Sequence, residues 1–386
     1  MKIAFISCWC DLRIYAIQAF HLKKHLERMI EDEIRLVTSN CNCYNTSFKS
    51  TLTSPLNYKY LLTDTVDYFV RVPHIRQKEG SNVGKFARRL YRNTSESLRG
   101  RLYLKAISDC DIVHFHQSSD AFGYGSVVYF LKHEKRMKKV VSIHNLSPEQ
   151  WRDSRLNLAY NMADAVIVPN NYFKDVLSRS EVDPAKIHVI PYGATLDPIG
   201  GMQREGAIMF AGSPLINVKG LEYLAPALRL LKEENTVIPL KLHGFHMAGH
   251  KEWADDIIRK ERIEDLVEWK NVTSEDELQT AYQSSKICIV PYTDYPGSFP
   301  VTLAMANALP VVVSDAMGMH ECVDGSGLIV KAKSTKELVS ALRQIISDEE
   351  LRHTKGKKGR KFAEEHFAWP IIAEKTLAVY QQVLGQ

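Results

Sequence analysis

Three short stretches of the sequence carry residue types that could bind or act on a ligand. In the first, Gly297, Ser298 and Phe299 form a turn between two apolar runs, and Pro300 suits the first position of a helix. Backbone amides in the first turn of a helix have no intrahelical partner, so they favour a negatively charged ligand. The turn therefore predicts an anion-binding site. A simple connection between a strand and a helix is the alternative.

The second stretch places Gly212 and Ser213 after an apolar run and Lys219 before a helical pattern. A glycine lets a ligand approach the backbone closely, and a lysine adds a cation where helix amides already favour anions. This arrangement is typical of a diphosphate pocket. A loop carrying a surface lysine is the alternative interpretation.

The third group consists of histidines that follow or end strand-like runs. His144 follows "VVSI", and His114 and His116 lie in "DIVHFHQ". We predict that histidines at strand tips face a ligand cleft, with His144 the best candidate, and that His114, inside its strand, is structural. A metal pair at His114 and His116 is not favoured, because no nearby carboxylate or cysteine completes it.

Four of the seven cysteines form two close pairs. Cys8 and Cys10 end the first predicted strand, and Cys41 and Cys43 end the second, so four thiolates could meet and bind zinc. The single residue between the members of each pair is shorter than the usual spacing of zinc ligands. The pattern therefore favours ordinary reduced cysteines, and no disulfide framework is expected.

Strands and helices must position these residues, and their pattern predicts a parallel α/β architecture. Runs rich in Val and Ile alternate with helical patterns, as in sheets covered on both faces. A Gly- and Pro-rich break divides the chain into two doubly wound, Rossmann-like domains, residues 1–198 and 205–368, facing a cleft. Residues 369–386 are predicted to form an amphipathic helix. The predicted strands are "KIAFIS", "IRLVTS", "DYFVRV", "DIVHFH", "KVVSIH", "AVIVPN", "KIHVIPY", "AIMFAG", "LKLHGF", "LVEWK", "KICIVPY", "PVVVSD" and "GLIV".

Composition and charge limit the environment and the partners. The 386 residues are 45% hydrophobic and carry a mild net charge of +5, without an apolar run long enough to span a membrane. The short apolar start does not suit a signal peptide, so a cytoplasmic protein is expected. Residues 71–105 are rich in Lys and Arg, which suits either an anionic membrane surface at its inner face or a solvated helix. A nucleic-acid partner is not favoured, because few aromatic residues are interleaved there.

The order of these features resembles the retaining glycosyltransferases of the GT-B fold, family 4 (glycosyl transferases group 1), over roughly residues 110–386. The resemblance implies that the C-terminal domain binds a UDP- or GDP-linked sugar donor. It also implies that the N-terminal domain binds a glycan or lipid-linked acceptor, and that the C-terminal helix packs on that domain. The matching segments are "DIVHFH", "VVSIHNL", "ADAVIVPN", "KIHVIPYGATLD", "FAGSPLINVKG", "LKLHGF", "AYQSSKICIVPY", "ALPVVVSDAMGMHECV" and "FAWPIIAEKTLAVY".

The resemblance also assigns residues to roles. It implies that Lys219 contacts the donor diphosphate, that His144 is the catalytic histidine near the transferred sugar, and that Glu321 lies near the sugar or base. His116 and Asn145 are placed on the acceptor side. Members of the family need no metal, and the positive loop and helix end would stabilise the leaving diphosphate. The other donor-side residues are Gly212, Ser213, Asp294, Gly297, Ser298 and Phe299.

Three positions depart from the family pattern. Ser213 stands where the family usually has an arginine, and Tyr295 and Leu303 stand where it has two glutamates. Leu303 cannot hold ribose hydroxyls as a carboxylate would. Either Asp294 or another group compensates, or donor binding is altered.

The sequence thus predicts a hexosyltransferase that builds a cell-surface polysaccharide or glycoconjugate. One alternative is a GT-B binding or regulatory subunit with weakened catalysis. Another is a different GT-B reaction, such as nucleotide-sugar epimerisation or nucleic-acid glucosylation. The sequence does not specify the sugar, the base, the acceptor or the linkage.

Overall fold

Two compact units make up the described part of the chain. In this computed structural model, residues 1–8, 15–31, 33–39, 68–70, 105, 107–116, 133–144, 154–199, 204, 206–210, 217–236, 238–244, 250–271, 275–294 and 298–386 are described. Unit 1 comprises Met1–Ile190 and Ile372–Gln386, and unit 2 comprises Pro191–Ile371. The chain thus crosses from unit 1 to unit 2 after Ile190, within the predicted first domain 1–198. It returns after Ile371, just beyond the predicted start of the last segment.

Unit 1 is built on a parallel sheet of seven described strands in the order β3-β2-β1-β4-β5-β6-β7. Residues 3–6 of β1 and all of β4 are buried and mostly apolar, with His114 and His116 as the polar exceptions, as expected when helices cover both faces. The order of the strands reverses between β1 and β4. The strands are β1 (Ile3–Cys8), β2 (Ile34–Ser39), β3 (Tyr68–Val70), β4 (Ile112–His116), β5 (Lys138–Ser142), β6 (Ala165–Val168) and β7 (Ile187–Val189).

The described helices of unit 1 begin with α1 (Tyr15–Leu26), α2 (Ser154–Asn161) and α3 (Asn171–Arg179). The start of α3 is fixed by Asn170, whose side-chain oxygen accepts a hydrogen bond from the backbone N–H of Phe173 at 3.0 Å. Phe173 itself is buried against the sheet core.

Unit 2 repeats this design with six parallel strands in the order β10-β9-β8-β11-β12-β13. Here the order of the strands reverses between β8 and β11. The strands are β8 (Ile208–Phe210), β9 (Leu240–Gly244), β10 (Val267–Asn271), β11 (Ile287–Val290), β12 (Val311–Ser314) and β13 (Leu328–Val330).

Helices of unit 2 pack around this sheet and are capped by side chains at several ends. Ser334 and Asp348 cap the helices that begin at Thr335 and Glu349 by accepting hydrogen bonds from backbone N–H groups. Arg204 donates to the carbonyl oxygens of Ser285 and Asn307, each one residue beyond the end of a helix, where a cation complements the negative helix end. The helices are α4 (Leu221–Glu233), α5 (His250–Lys260), α6 (Glu275–Ser284), α7 (Ser298–Ala306), α8 (Thr335–Ser347), α9 (Glu349–His366) and the start of α10 (Trp369–Leu384).

The two segments at which the chain enters and leaves unit 2 are paired with each other. The backbone N–H of Ala194 donates to the carbonyl oxygen of Phe367 at 2.9 Å. Gly193 lies so close to the ring of Trp369 that an added Cβ would overlap it. The first residue of α10 is therefore anchored within unit 2, whereas its residues from Ile372 onward belong to unit 1.

The predicted doubly wound α/β architecture is confirmed. Every strand named from the sequence corresponds to a strand of the structure, with differences only at the ends. Long buried runs of Val and Ile make such strands easy to identify, whereas their ends depend on turns that the runs do not specify. In the described part, no helix is both long enough and apolar enough to cross a membrane.

Close packing of α9 on the end of α7 depends on a helical glycine and gives a first prediction. A Cβ added at Gly356 would overlap the carbonyl oxygen of Ala308, whereas a Cβ at Gly359 would lie 3.2 Å from Cγ of the Met305 side chain and 3.7 Å from its backbone Cα. Gly356→Ala is expected to lower the free energy of unfolding by about 1–3 kcal/mol, because the backbone must shift. The measurement is urea unfolding followed by circular dichroism.

Gly359→Ala in the same helix is the matched control. Its flexible neighbour can move, and alanine favours a helix over glycine by up to about 1 kcal/mol, so its stability should match or exceed that of the parent. Equal stability of the two variants would contradict the steric argument.

Candidate functional site

The strand order of unit 2 marks one place for a ligand. In an open parallel sheet, ligands bind beyond the carboxyl ends of the strands where the strand order reverses. That point lies between β8 and β11. The chain that follows β8 reaches Lys219, and the chain that follows β11 runs through Pro291 to Asp294.

Lys219 is buried beside an aromatic ring at this point. Only 7% of the residue is exposed, and its Nζ lies 3.9 Å from the centroid of the Tyr292 ring. An ammonium group over the face of a tyrosine is attracted by the π electrons. Burial nevertheless lowers the pKa of Lys219 well below its usual value. An incoming anion would therefore restore the charge of this lysine.

Backbone contacts hold the two loops together. The N–H of Thr293 donates to the carbonyl oxygen of Val218 at 2.9 Å, and Ser314 Oγ donates to the carbonyl oxygen of Tyr292 at 2.5 Å. Gly220 has a φ of +79°, and an added Cβ would overlap the carbonyl oxygen of Pro291. Both its left-handed conformation and the close approach require glycine.

Charged groups also lie on this edge of the sheet. Asp294 pairs with Lys333 at 2.9 Å, and both side chains are about half exposed. Glu222, in the first turn of α4, has a buried Oε2 without a hydrogen-bond partner among the described residues. Burial raises the pKa of Glu222, an effect that the nearby Lys333 opposes. This edge therefore contains carboxyl oxygens that could accept hydrogen bonds from hydroxyl groups.

Helix α7 begins at this edge with a mainly apolar turn. The ring of Phe299 packs edge-on against Tyr192, with centroids 5.8 Å apart. Leu303 is 8% exposed, so its position in α7 is apolar and buried. Glu321 lies in a 3₁₀ segment, Ala316–Cys322, that follows β12 on the same edge.

In unit 1, three histidines lie close together: His114 inside β4, His116 at its carboxyl end, and His144 just after β5. His114 Nδ1 is 2.6 Å from Tyr380 Oη, and its Nε2 is 2.7 Å from Ser142 Oγ. The His116 ring packs on His114 with centroids 4.3 Å apart, and its Nδ1 is 3.4 Å from Nε2 of His144. The rings thus form a continuous row from the C-terminal helix to His144.

This row is uncharged at neutral pH. Burial lowers the pKa of His114 and of His144 to about 3, and it also lowers the pKa of His116 well below its usual value. His114 and His144 add to the lowering for His116, because nearby positive charges would repel. A row of neutral imidazoles suits hydroxyl groups better than anions, because each ring offers one donor and one acceptor.

Some of the predicted site residues lie in the described part of the chain, and others lie outside it. Lys219, Asp294, Phe299 and Glu321 all lie on the carboxyl edge of unit 2, and His116 and His144 meet in unit 1. His116, predicted on the acceptor side, is only 3% exposed, because the rings of Phe5 and His114 cover it. His114 is structural as predicted. Ser298 is described only as the first residue of α7. The predicted residues outside the described part are Gly212, Ser213, Gly297, Asn145, Tyr295, Cys10, Cys41 and Cys43, with the side chain of Cys8 and nearly all of 71–105.

Sequence reasoning missed the partners that complete these arrangements. Tyr292 ends the predicted strand that precedes the turn at Gly297, and its position at a strand end was the available signal. Ser142 and Tyr380 carry no such signal, because Tyr380 meets His114 only through the tertiary fold. Across the described residues, no group of three His, Cys, Asp or Glu side chains could hold a metal ion.

Two protein families match this chain in consecutive segments. The family described as Glycosyltransferase Family 4 matches residues 48–197, and the family described as Glycosyl transferases group 1 matches residues 200–362. An MMP alpha-(1->4)-mannosyltransferase from Mycolicibacterium hassiacum is 28% identical over 236 residues. That alignment covers 59% of this chain and 56% of the mannosyltransferase, so the chain spans little more than half of that relative.

Solved structures share the whole fold at low identity. A TarM variant from S. aureus, solved with Fondaparinux, alpha-GlcNAc-glycerol and UDP, has a TM-score of 0.75 at 14% identity, covering 98% of this chain and 99% of its own. HepE from Anabaena in complex with UDP-glucose has a TM-score of 0.71 at 14% identity, covering 100% of both chains. At such identities the likeness supports a common fold, the GT-B fold, and not a common substrate.

The neutral histidines predict a loss of stability in acid. The pKa of His114 is about 3 in the folded chain and about 6.5 when unfolded, so below pH 6.5 the unfolded chain binds more protons. The contribution of the neutral His114 ring to the free energy of unfolding is complete above about pH 6.5 and is lost as the pH falls toward 3. At about pH 5 the loss from this ring is roughly 2 kcal/mol relative to pH 7.5.

Urea unfolding of the parent and of His114→Gln at about pH 7.5 and pH 5 checks this. At pH 7.5 the variant should be less stable than the parent. Between pH 7.5 and pH 5, its free energy of unfolding should fall by roughly 2 kcal/mol less than that of the parent. Thr376→Val, at a buried position that does not titrate, should keep the parental pH dependence. An unchanged pH dependence in His114→Gln would contradict the assignment.

Proposed function

We propose that this chain, which belongs to the family 4-like glycosyltransferases of the GT-B fold, transfers a hexosyl unit from a nucleotide sugar to a glycan or lipid-linked acceptor, with retention of anomeric configuration. The reaction would serve the synthesis of a cell-surface polysaccharide or glycoconjugate. Unit 2 would bind the donor and unit 1 the acceptor, without a metal ion.

One observation carries the donor assignment. Lys219 is buried at the point where the strand order of unit 2 reverses, and burial lowers its pKa well below the usual value. A diphosphate bound there would favour the charged form of the lysine. The same contact would then bind the donor and stabilise the leaving group. The amides at the start of α7 would add a second positive element.

The names of relatives and neighbours agree with this donor class. The mannosyltransferase uses a sugar donor by its name, and TarM and HepE were solved with UDP or UDP-glucose. We therefore propose a UDP- or GDP-linked sugar as the donor. Glu222 and Asp294 would accept hydrogen bonds from donor hydroxyls, a role that the buried Leu303 cannot take.

We assign the catalytic role in unit 1 to His144. Its ring is neutral, is stacked on His116, and lies just after the end of β5. A neutral imidazole can exchange a hydrogen bond with a sugar hydroxyl without bringing a charge close to the reacting carbon. His116 supports it from the strand, and Asn145 follows it in the chain.

The donor site is tested with a thermal-shift panel of UDP-, GDP-, ADP- and CMP-sugars. A ligand at about a hundred times its Kd stabilises by roughly 2.7 kcal/mol, a shift of several degrees. One nucleotide class should stabilise the parent, and Lys219→Met should lose about tenfold to a hundredfold in affinity because a charged hydrogen bond is lost. Its Tm without ligand should not fall, because Met fills the volume without a polar group.

Lys241→Met is the matched control. Lys241 is also buried, but it lies near the amino end of β9, away from the carboxyl edge. This variant should bind the donor as the parent does. No stabilisation of the parent by any class of nucleotide sugar would favour the binding-subunit alternative.

The role of His144 is tested by turnover. His144→Gln is expected to lower kcat by about a hundredfold with donor affinity nearly unchanged, as for a group that acts in the reaction rather than in donor binding. Release of nucleoside diphosphate gives the rate, and NMR of the product gives its anomeric configuration. Parental turnover in the variant would remove His144 from the site, and an inverted product would contradict retention.

A further inference from the structure

Lys219 and Tyr292 are brought together by backbone contacts on both sides of each residue. Gly220, which follows the lysine, lies against the carbonyl oxygen of Pro291, which precedes the tyrosine. The residue before the lysine accepts a hydrogen bond at 2.9 Å from the backbone N–H of Thr293, the residue after the tyrosine. The backbone therefore fixes the relative positions of the lysine and the tyrosine before any contact of their side chains is considered.

A third contact fixes Tyr292 from the neighbouring strand. Ser314, the last residue of β12, is buried, and its Oγ donates to the carbonyl oxygen of Tyr292 at 2.5 Å. Tyr292 itself is fully buried, two residues beyond the end of β11. Because protein interiors are close-packed, a fully buried ring on a fixed backbone has little freedom to move. The ring of Tyr292 is therefore a rigid element of this edge.

The side chain of Lys219 ends on the face of this ring. Its Nζ lies 3.9 Å from the ring centroid, and only 7% of the lysine is exposed. The attraction between a cation and an aromatic face is stronger when both groups are removed from water. The ring bears no net charge, so this contact attracts the ammonium group without neutralising it.

The ring and the burial of the lysine act on its charge in opposite directions. Burial disfavours the charged form and lowers the pKa of Lys219 well below its usual value. The π electrons of the ring favour the charged form, because only the cation is attracted to them. An apolar side chain without a π face at position 292 would bury the lysine equally and remove this attraction.

We infer that Tyr292 is a positioning residue whose ring holds the ammonium group of Lys219 at the carboxyl edge of unit 2, where the diphosphate of a donor would meet it. The inference rests on the proposed function for the identity of the anion. The attraction between the ring and the lysine depends only on the geometry of the two side chains. Tyr292 raises the affinity for the donor by acting through Lys219.

A series of ring substitutions separates this role from packing. Tyr292→Phe is the reference, and progressively fluorinated phenylalanines, incorporated at the same position, form the series. Fluorine withdraws electrons from the π face and changes the shape of the ring only slightly, so packing is nearly constant while the attraction for a cation falls. The phenolic hydroxyl is absent from every member, so a contact of that hydroxyl cannot produce a trend within the series.

Binding of UDP and GDP, the leaving groups of the proposed donors, is measured by calorimetry across the series. We expect the affinity for one of them to fall stepwise with fluorination, by about tenfold at full fluorination. The same series built on Lys219→Met should show no trend, because the cation on which the ring acts is absent. Lys251→Met is the matched control: it removes the cation of another such pair, with Nζ 4.9 Å from the ring of Trp269, and should bind as the parent does.

The outcomes are distinct for each proposal. Equal affinity across the fluorinated series, in a chain that binds UDP or GDP, overturns the inference and leaves the proposed function standing. A trend that persists in Lys219→Met also overturns it, because the ring would then act by packing or on the nucleotide itself. Urea unfolding of the same variants without ligand reports the contact between ring and lysine directly. If neither nucleotide binds, both proposals fail, even where stability falls with fluorination only when Lys219 is present.

Discussion

The close approach of Gly220 to the carbonyl oxygen of Pro291 is the constraint on which the candidate donor side depends. It brings the loop after β8 onto the end of β11, and the hydrogen bond from Thr293 to Val218 fixes that contact. Only then does the side chain of Lys219 lie under Tyr292 and away from water. A residue with a Cβ at position 220 would separate the loops and let the lysine return to solvent, where it would be an ordinary surface cation.

Burial of polar groups is a common principle of both units. Folding places a lysine and three imidazoles in surroundings that disfavour their charged forms. Such positions cost stability, and they cluster at functional sites because the displaced charge or hydrogen bond is recovered when a ligand arrives. In unit 2 the expected ligand restores a charge, whereas in unit 1 it would exchange neutral hydrogen bonds.

Sequence patterns predicted the strands because long runs of Val and Ile favour buried parallel strands over other structures. They also placed Lys219 in the connection after a strand and His144 just beyond a strand. They did not predict the burial of His116, which results from rings of β1 and β4 that meet only in the folded sheet. The partnership of His114 with Tyr380 joins residues far apart in the chain and has no local signature. Leu303 is visible in the sequence only as a departure from the family pattern, because the packing that buries it forms only in the folded unit.

The path of the chain through the two units has a consequence for synthesis on the ribosome. All of unit 2, Pro191–Ile371, emerges before the last part of unit 1, Ile372–Gln386, has been made. Unit 2 can therefore fold to completion first, although most of unit 1 precedes it in the chain. Until Tyr380 emerges, His114 lacks the hydroxyl that lies 2.6 Å from its Nδ1 in the folded unit, so the surroundings of this histidine are completed only after all of unit 2 has been made.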